Sequence, residues 1–480
     1  MIYQVSHAAE LRDGQLIDLP ASKSLSNRAL IMQALCPEPC QLTHLSDCDD
    51  TVVMQRAFQK MKSNLMSGPV TIDIGAAGTS MRFLTAYFAT REGAEVIMTG
   101  TERMKQRPIK ILVDALRELG AEIEYLETEG CPPLRIHGHK LNGGPLSIDG
   151  STSSQYISAL LMVAPTLAQG LQLTLTGDVT SRPYILMTLG MMREFGIEST
   201  WEGQVISISP QTYKAQRYEV ESDWSAASYW YEVLALAHDT TLTTIRLKGL
   251  HKESLQGDSH VADYFEPMGI VTEYTDEGVV LSYGDDGFLM PVRLDWDMTE
   301  QPDLAQTVIT TYAMLGIKFD ISGLHTLRIK ETDRITALEN ELKKMGLIVT
   351  DRDNDRMIYE AEEIEGFDYE LNVTPVIKTY KDHRMAMAFA PLALYLDQNT
   401  LLIEDPAVVT KSYPQYWEHL KQIGFLIKEF KSTEESHTAI AKEKNEQKKR
   451  HSMTVLKENL RGLLIILLLF LMAYLLRDYL

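Results

Sequence analysis

Lys23-Ser-Leu-Ser-Asn-Arg-Ala-Leu30 begins with a polar, cationic cluster and runs into a small-residue-rich apolar stretch. That is the pattern of a helix buried along most of its length, with only its N-terminal end reaching a surface. The arrangement returns five more times, as Gly78-Thr-Ser-Met-Arg-Phe-Leu-Thr-Ala86, Ser153-Ser-Gln-Tyr-Ile-Ser-Ala-Leu160, Asp223-Trp-Ser-Ala-Ala-Ser-Tyr229, Pro302-Asp-Leu-Ala-Gln-Thr-Val308 and Asp382-His-Arg-Met-Ala-Met-Ala388. The copies lie roughly 55 to 80 residues apart. Such a period is too long for a solenoid and suits a copied unit of helices and strands. Short alternating or β-branched segments between them, among them Leu171–Leu175, Val205–Ile208 and Thr241–Leu247, read as strands, so the fold class is α/β or α+β. Free N–H groups and the positive macrodipole end make each helix start attractive to anions, and several aimed at one cleft would gather anions strongly. The plainer reading of any single copy is that Ser and Asp are good N-caps.

The cations stand out against the rest of the chain. Across 480 residues, 46 Lys and Arg face 66 Asp and Glu, a net charge of −20. That balance excludes general binding to a phosphate backbone, and no nucleic-acid partner is expected. Apolar residues at 45%, charged residues at 23% and a length that allows about three domains describe a globular chain. Basic residues cluster at Lys23 and Arg28, at Arg103, Lys105, Arg107 and Lys110, at Lys330 and Arg334, at Arg384 and at Lys411. On a helix Lys330 and Arg334 would share a face, and the bland alternative for Lys330-Glu-Thr-Asp-Arg334 is a salt-bridged surface helix. Cys36, Cys40, Cys48 and Cys131 fit neither a zinc set nor a disulfide framework, and are expected to be reduced thiols. No Gly-x-Gly, no Gly-Lys-Ser/Thr, no His-Glu-x-x-His and no Gly-x-Ser-x-Gly occurs. Dinucleotide, phosphate-loop, zinc-protease and α/β-hydrolase readings therefore fall. His325 and His383 each stand alone, as packing or substrate-binding residues rather than metal ligands. What remains is a site without metal or nucleotide that collects anionic groups and has carboxylates for proton transfer.

The two ends differ in kind. Residues 1–10 lack a basic n-region and an apolar core, so no secretory signal is expected and the body is assigned to the cytoplasm. A polar, mostly basic linker over 431–461 leads to the uncharged run Gly462–Leu476. As a helix that run would be about 22 Å long, short of a ~30 Å hydrocarbon core unless Arg461 and Arg477 snorkel or the bilayer thins. It is a candidate membrane tether, with Lys448, Lys449 and Arg450 favouring a cytoplasmic body. An interfacial helix, a partner-binding tail and a tail from a fused or misassigned reading frame are the alternatives.

The motifs Leu19-Pro-Ala-Ser-Lys-Ser-Leu-Ser-Asn-Arg-Ala29, Gly75-Ala-Ala-Gly-Thr-Ser-Met-Arg82, Arg107-Pro-Ile109, Ser153-Ser-Gln155, Ser181-Arg-Pro-Tyr184, Gln301-Pro-Asp303, Lys330-Glu-Thr-Asp-Arg334, Asp382-His-Arg-Met-Ala386 and Lys411 occur in that order. Together, over residues 2 to 428, they resemble the 5-enolpyruvylshikimate-3-phosphate synthase family. The resemblance implies an inside-out α/β barrel fold of six βαβαββ units in two domains. One would comprise 1–20 and 222–430, the other 21–221, with crossings near Pro20 and Ser222 and closure of the lobes over substrate. It also implies transfer of the carboxyvinyl group of phosphoenolpyruvate to the 5-hydroxyl of shikimate 3-phosphate, with no metal or organic cofactor and a monomeric body.

By the same resemblance, Lys23, Ser24, Arg28, Ser153, Ser154, Gln155, Ser181, Asp303 and Lys330 would hold shikimate 3-phosphate. Lys23, Gly78, Arg107, Gln155, Arg334, Arg384 and Lys411 would hold phosphoenolpyruvate. Pooling Arg and Lys suits two phosphates and two carboxylates, which guanidinium forks meet with paired charge-assisted bonds. The catalytic assignment is Glu331 as acid and then base at the methylene carbon, Asp303 as base toward the 5-hydroxyl, and Lys23 as a cationic acid near the departing phosphate. Ala76, Phe83 and Thr326 depart from the common family residues at their places, which touches the geometry near Gly78 and inhibitor sensitivity. Arg82 and Arg103 read as structural. The nearest rival activity passes the same group to a UDP-N-acetylamino sugar, but that family uses a loop cysteine and lacks Lys-Glu-Thr-Asp-Arg. A non-catalytic, tethered anion-binding scaffold is the rival of a different class.

Overall fold

The computed structural model describes residues 1–63, 68–361, 374–396 and 400–442. Each of the six copied segments is a helix: Lys23–Leu35, Gly78–Ala89, Ser154–Val163, Trp224–Leu236, Ala305–Met314 and His383–Phe389. They are called here the first to sixth cleft helices. Their starts are set by local chemistry. Ser22, Ser153, Asp223 and Asp382 each accept a backbone N–H of the first turn through the side chain, and a 3-10 turn at Pro302–Leu304 leads into the fifth helix. Beyond that turn the helices are buried on nearly every side. The second is buried at all its residues and the fourth at all but Ser225.

The strands repeat as regularly as the helices. Among the described residues, five four-stranded sheets share one pattern, a parallel pair extended by two antiparallel partners. In one, Val70–Asp73 runs parallel to Glu95–Thr99, which pairs antiparallel with Leu134–His137, itself antiparallel to Glu122–Tyr125. Leu171–Thr176 and Val205–Ile208 lie in another; the third strand read from sequence begins at Thr244 rather than Thr241. The difference has a local cause: Asp13 Oδ1 accepts the backbone N–H groups of Thr243 and Thr244, both at 2.7 Å, before the ladder starts. The sheet containing Ile2–His7 takes its other strands from the 376–430 region, which joins the two ends of the body.

Two separate apolar cores result. One is built from residues between Ala21 and Val220; the other combines Val5–Leu19 with Trp224–Phe425. The chain passes between them twice, side by side, where Ser22 N–H donates to Glu221 O (2.8 Å) and Asp223 N–H donates to Pro20 O (2.9 Å). These two crossings leave two lobes facing each other across a cleft.

Two readings change. Lys330-Glu331-Thr332-Asp333 is not helical: it links a 3-10 turn at His325–Ile329 to a helix beginning at Arg334, for which Asp333 is the N-cap. Because Asp333 accepts the Thr336 N–H (3.2 Å), Arg334 becomes the first helical residue, and Lys330 and Glu331 are free to turn into the cleft. Within the span read as a linker, residues 433–442 form a helix whose Ile440 packs on Ile2 and Leu402. The apolar run 462–476 lies outside the described residues. No helix among the described residues is long and apolar enough to cross a membrane.

Candidate active site

The cleft holds a cavity of about 340 Å³ lined by residues from both lobes, among them Lys23, Ser24, Arg28, Arg107, Ser153, Ser154, Gln155, Ser181, Asp303, Lys330 and Arg384. A smaller recess of about 40 Å³ adds Asp50, Gly78, Glu331, Arg334 and His383, and shares Lys23, Arg107, Asp303 and Arg384 with the larger one. Cations more than 300 residues apart in sequence thus converge. Lys411 lines neither space, yet its Nζ lies 2.7 Å from Glu331 Oε1.

Two carboxylates organise the centre. Asp303 receives Arg334 Nη1 (3.1 Å), Lys330 Nζ (3.4 Å) and Arg384 Nη2 (2.9 Å). Glu331 receives Arg334 Nη2 (3.0 Å) and Lys411 Nζ (2.7 Å), with Arg107 Nη1 at 3.8 Å. Arg334 bridges both and is itself fixed by Asp382, whose Oδ2 accepts its Nε at 2.7 Å. Burial alone would raise both acids. The Arg384, Lys330 and Arg334 cations hold Asp303 well below the ordinary carboxylate range, and Lys411, Arg334 and Arg107 do the same for Glu331. The ammonium of Lys23 is pushed down by burial, but Asp50 and Cys48 more than compensate and its pKa is raised. His383 is buried among cations, so burial first and then Lys23 and Arg384 keep its imidazole neutral.

At Arg28 one guanidinium is surrounded by hydroxyls. Arg28 is held by Thr188 Oγ1 (2.7 Å), Ser24 O (2.9 Å) and Ser158 Oγ (3.2 Å), and lies over the Phe83 ring. Burial lowers it to about 10, so it remains charged at neutral pH. Gln155 donates to Thr79 Oγ1 (3.1 Å). Ser181 adopts a left-handed conformation (φ 53°) and its N–H reaches across the lobes to Thr299 O (3.2 Å). A Cβ at Gly78 would meet the Arg107 and Arg82 guanidiniums and would have to displace those side-chain ends, so the constraint there is close approach rather than backbone angle. The Nε atoms of Arg107 and Arg384 are buried with no hydrogen-bond partner.

Of the basic cluster at 103–110, only Arg107 enters the recess. Lys105 pairs with Glu127 (3.0 Å), Lys110 pairs with Asp114 (2.9 Å) at the rim, and Arg103 is exposed. Arg82 donates to Gly78 O (2.9 Å) and supports the turn. Sequence reasoning missed Asp50, buried and facing Lys23, because an acid starting the helix Asp49–Ser63 looks like any N-terminal carboxylate. It also missed Asp258, which accepts from Tyr184 OH (2.9 Å) and from Ser225. Burial and then Asp303 push Asp258 up to about 6, against Arg384 and the two hydroxyls. No pattern in the chain marks that contact.

This arrangement, two ion-paired carboxylates between helix starts rich in cations, coincides with a family-model match. Residues 12–420 match the model described as EPSP synthase (3-phosphoshikimate 1-carboxyvinyltransferase). The chain belongs to the EPSP synthase family. A 3-phosphoshikimate 1-carboxyvinyltransferase of Bacteroides fragilis (strain YCH46) is 50% identical over 429 residues, covering 89% of this chain and 99% of the relative. One from Yersinia ruckeri is 39% identical over 439 residues, covering 85% and 96%. Among solved structures, an Acinetobacter baumannii EPSP synthase shares the fold with a TM-score of 0.68 at 20% identity, over 89% of this chain and all of that one. As an EPSP synthase the chain is a transferase of the shikimate pathway, moving the carboxyvinyl group of phosphoenolpyruvate to the 5-hydroxyl of shikimate 3-phosphate and releasing phosphate.

Proposed function

We propose that this transfer is carried out by Asp303, Glu331 and Lys23, with shikimate 3-phosphate in the larger cavity and phosphoenolpyruvate in the recess. The observation that carries the reading is the ion pairing of the two acids, Asp303 to Lys330, Arg334 and Arg384, and Glu331 to Arg334, Lys411 and Arg107. Anionic substrates compete for those same cations. When the phosphoenolpyruvate carboxylate and phosphate take Arg107, Arg334, Arg384 and Lys411, Glu331 loses its counter-charges and its pKa rises. It can then accept a proton, deliver it to the methylene carbon, and recover one from that carbon in the elimination. Asp303, released in the same way, accepts the 5-hydroxyl proton. The attacking oxygen adds to C2, giving a tetrahedral intermediate, and Lys23 stabilises the phosphate as its C–O bond breaks.

Ser24, Arg28, Ser153, Ser154, Gln155, Ser181 and Lys330 would hold shikimate 3-phosphate, with Arg28 and the helix-start serines on its phosphate. Gly78 and Gln155 would complete the phosphoenolpyruvate site. The test is phosphate release by purified protein given both substrates, with Asp303→Ala and Glu331→Gln beside it. An Asp303→Ala protein that kept most of its turnover would remove Asp303 from the mechanism.

We also propose two domains, 1–20 with 222–430 and 21–221, a monomeric catalytic body, and a tether at 462–476. Fractionating cells that carry the full chain or a chain ending at residue 442 tests the tether, and recovery of both in the soluble fraction would rule it out.

A further inference from the structure

A second cavity, of about 870 Å³, opens at the far end of the first cleft helix and shares no lining residue with the active-site spaces. Cys36 and Cys40 both line it, beside Leu30, Phe58, Tyr87 and Phe88. Both are free thiols. Cys36 is the C-cap of the helix Lys23–Leu35, its N–H donating to Met32 O and its thiol to Tyr213 O (3.4 Å). Cys40 follows after Pro37-Glu38-Pro39, an exposed loop in which two prolines fix φ. The Gln33 side chain donates to Cys40 O (2.9 Å) and ties that residue back to the last turn of the helix. The Cys40 thiol points back into the same loop, toward Glu38 O (3.9 Å). Two free thiols four residues apart, on a short loop tied back to the helix and lining one cavity, are not needed for the transfer reaction.

We propose that Cys36 and Cys40 are a peroxide-responsive dithiol that closes reversibly to a disulfide. Cys36, the less buried of the two, supplies the attacking thiolate. Its sulfur bonds to one peroxide oxygen, the O–O bond breaks, and the hydroxide released takes up the proton that Cys36 lost, leaving a sulfenic acid and one water. The Cys40 sulfur then attacks the sulfenic sulfur. The S–O bond breaks, and the departing hydroxide leaves with the Cys40 proton as a second water. Two thiols are oxidised by two electrons and one peroxide is reduced to two waters. Burial raises the Cys40 thiol, which suits it to the resolving rather than the attacking role. The cross-link pins the C-terminal end of the helix whose first two turns carry Lys23, Ser24 and Arg28.

The test treats the reduced full-length protein with hydrogen peroxide, blocks remaining thiols with N-ethylmaleimide, and maps the peptides. Expected is a Cys36–Cys40 cross-link that dithiothreitol reverses, with the buried Cys48 and the half-buried Cys131 still thiols. Cys40→Ser should trap a dimedone-reactive sulfenic acid at Cys36, and Cys36→Ser should leave Cys40 alkylated, both with normal phosphate release. Alkylation of both cysteines after peroxide, or a bridge to Cys48, Cys131 or a second chain, overturns the proposal. A higher thermal midpoint for the oxidised than for the reduced wild type is expected from the pinned helix end, and equal midpoints would overturn the pinning.

Discussion

At the residue scale, Glu331 and Asp303 have dual lives as salt-bridge partners and proton carriers. Glu331→Gln keeps the shape but cannot take up a proton, so turnover should fall ~10²–10⁴-fold. Steady-state phosphate release measures this, and loss of deuterium exchange into the methylene group of phosphoenolpyruvate checks the step. Gly78→Ala should act on binding instead. The added methyl meets the Arg107 and Arg82 guanidiniums, so KM for phosphoenolpyruvate rises while the acid–base pair stays in place. The depressed carboxyls also have a stability signature. Each titrates near 4 when unfolded and lower when folded, so its stabilisation is complete above about pH 4 and fades as pH falls through the folded value. Unfolding midpoints followed downward from pH 4 should decline less steeply in Glu331→Gln than in wild type.

At the scale of elements, the cleft helices combine buried shafts with polar starts, and one shaft carries an ionisable group. Glu232, in the fourth cleft helix, is fully buried, accepts from Thr310 Oγ1 at 2.9 Å, and has its second oxygen unpartnered. Burial pushes its carboxyl well above the usual range, so the folded state holds the proton that the unfolded chain releases near pH 4. The sign is opposite to that of Glu331. Stability is lost as pH rises from about 4 toward the folded value, because the native state binds more protons. In Glu232→Gln, thermal midpoints measured from pH 5 to 8 should decline less than in wild type. The helices themselves were legible because their apolar content leaves no face for water. The stretch 330–334 was not, because an i, i+4 charge pair looks the same whether a helix forms or an N-cap at Asp333 starts the helix later.

At the scale of the molecule, contacts away from the chemistry join the two lobes across the cleft. Thr410 Oγ1 donates to Asp49 Oδ2 (2.8 Å), and Gln415 Nε2 donates to Asp47, both between the lobes on the exposed rim. Two such bonds are worth ~1–2 kcal/mol together. Replacing both Thr410 and Gln415 by Ala should shift the unliganded protein toward open forms, read as a larger radius of gyration by small-angle scattering. KM for shikimate 3-phosphate should rise severalfold, with kcat little changed. The cations at the centre make closure costly without such help, since like charges from distant segments are brought together in a poorly hydrated space.

The sequence alone determined the helix pattern and the class of fold, because burial period and the types of residue at each helix start are properties of neighbours along the chain, and its ordered motifs carried the resemblance that implied the family chemistry. Only the tertiary structure decided which cations meet. Lys105 and Arg107 are indistinguishable by spacing, yet one pairs with Glu127 at the surface and the other reaches Glu331. Asp50 became part of the site by lining the recess with Lys23, and Asp258 by accepting from Tyr184, at sequence separations that no local pattern encodes. Helix formation is settled within a few turns, whereas electrostatics at a cleft depends on which groups two lobes bring within hydrogen-bond reach.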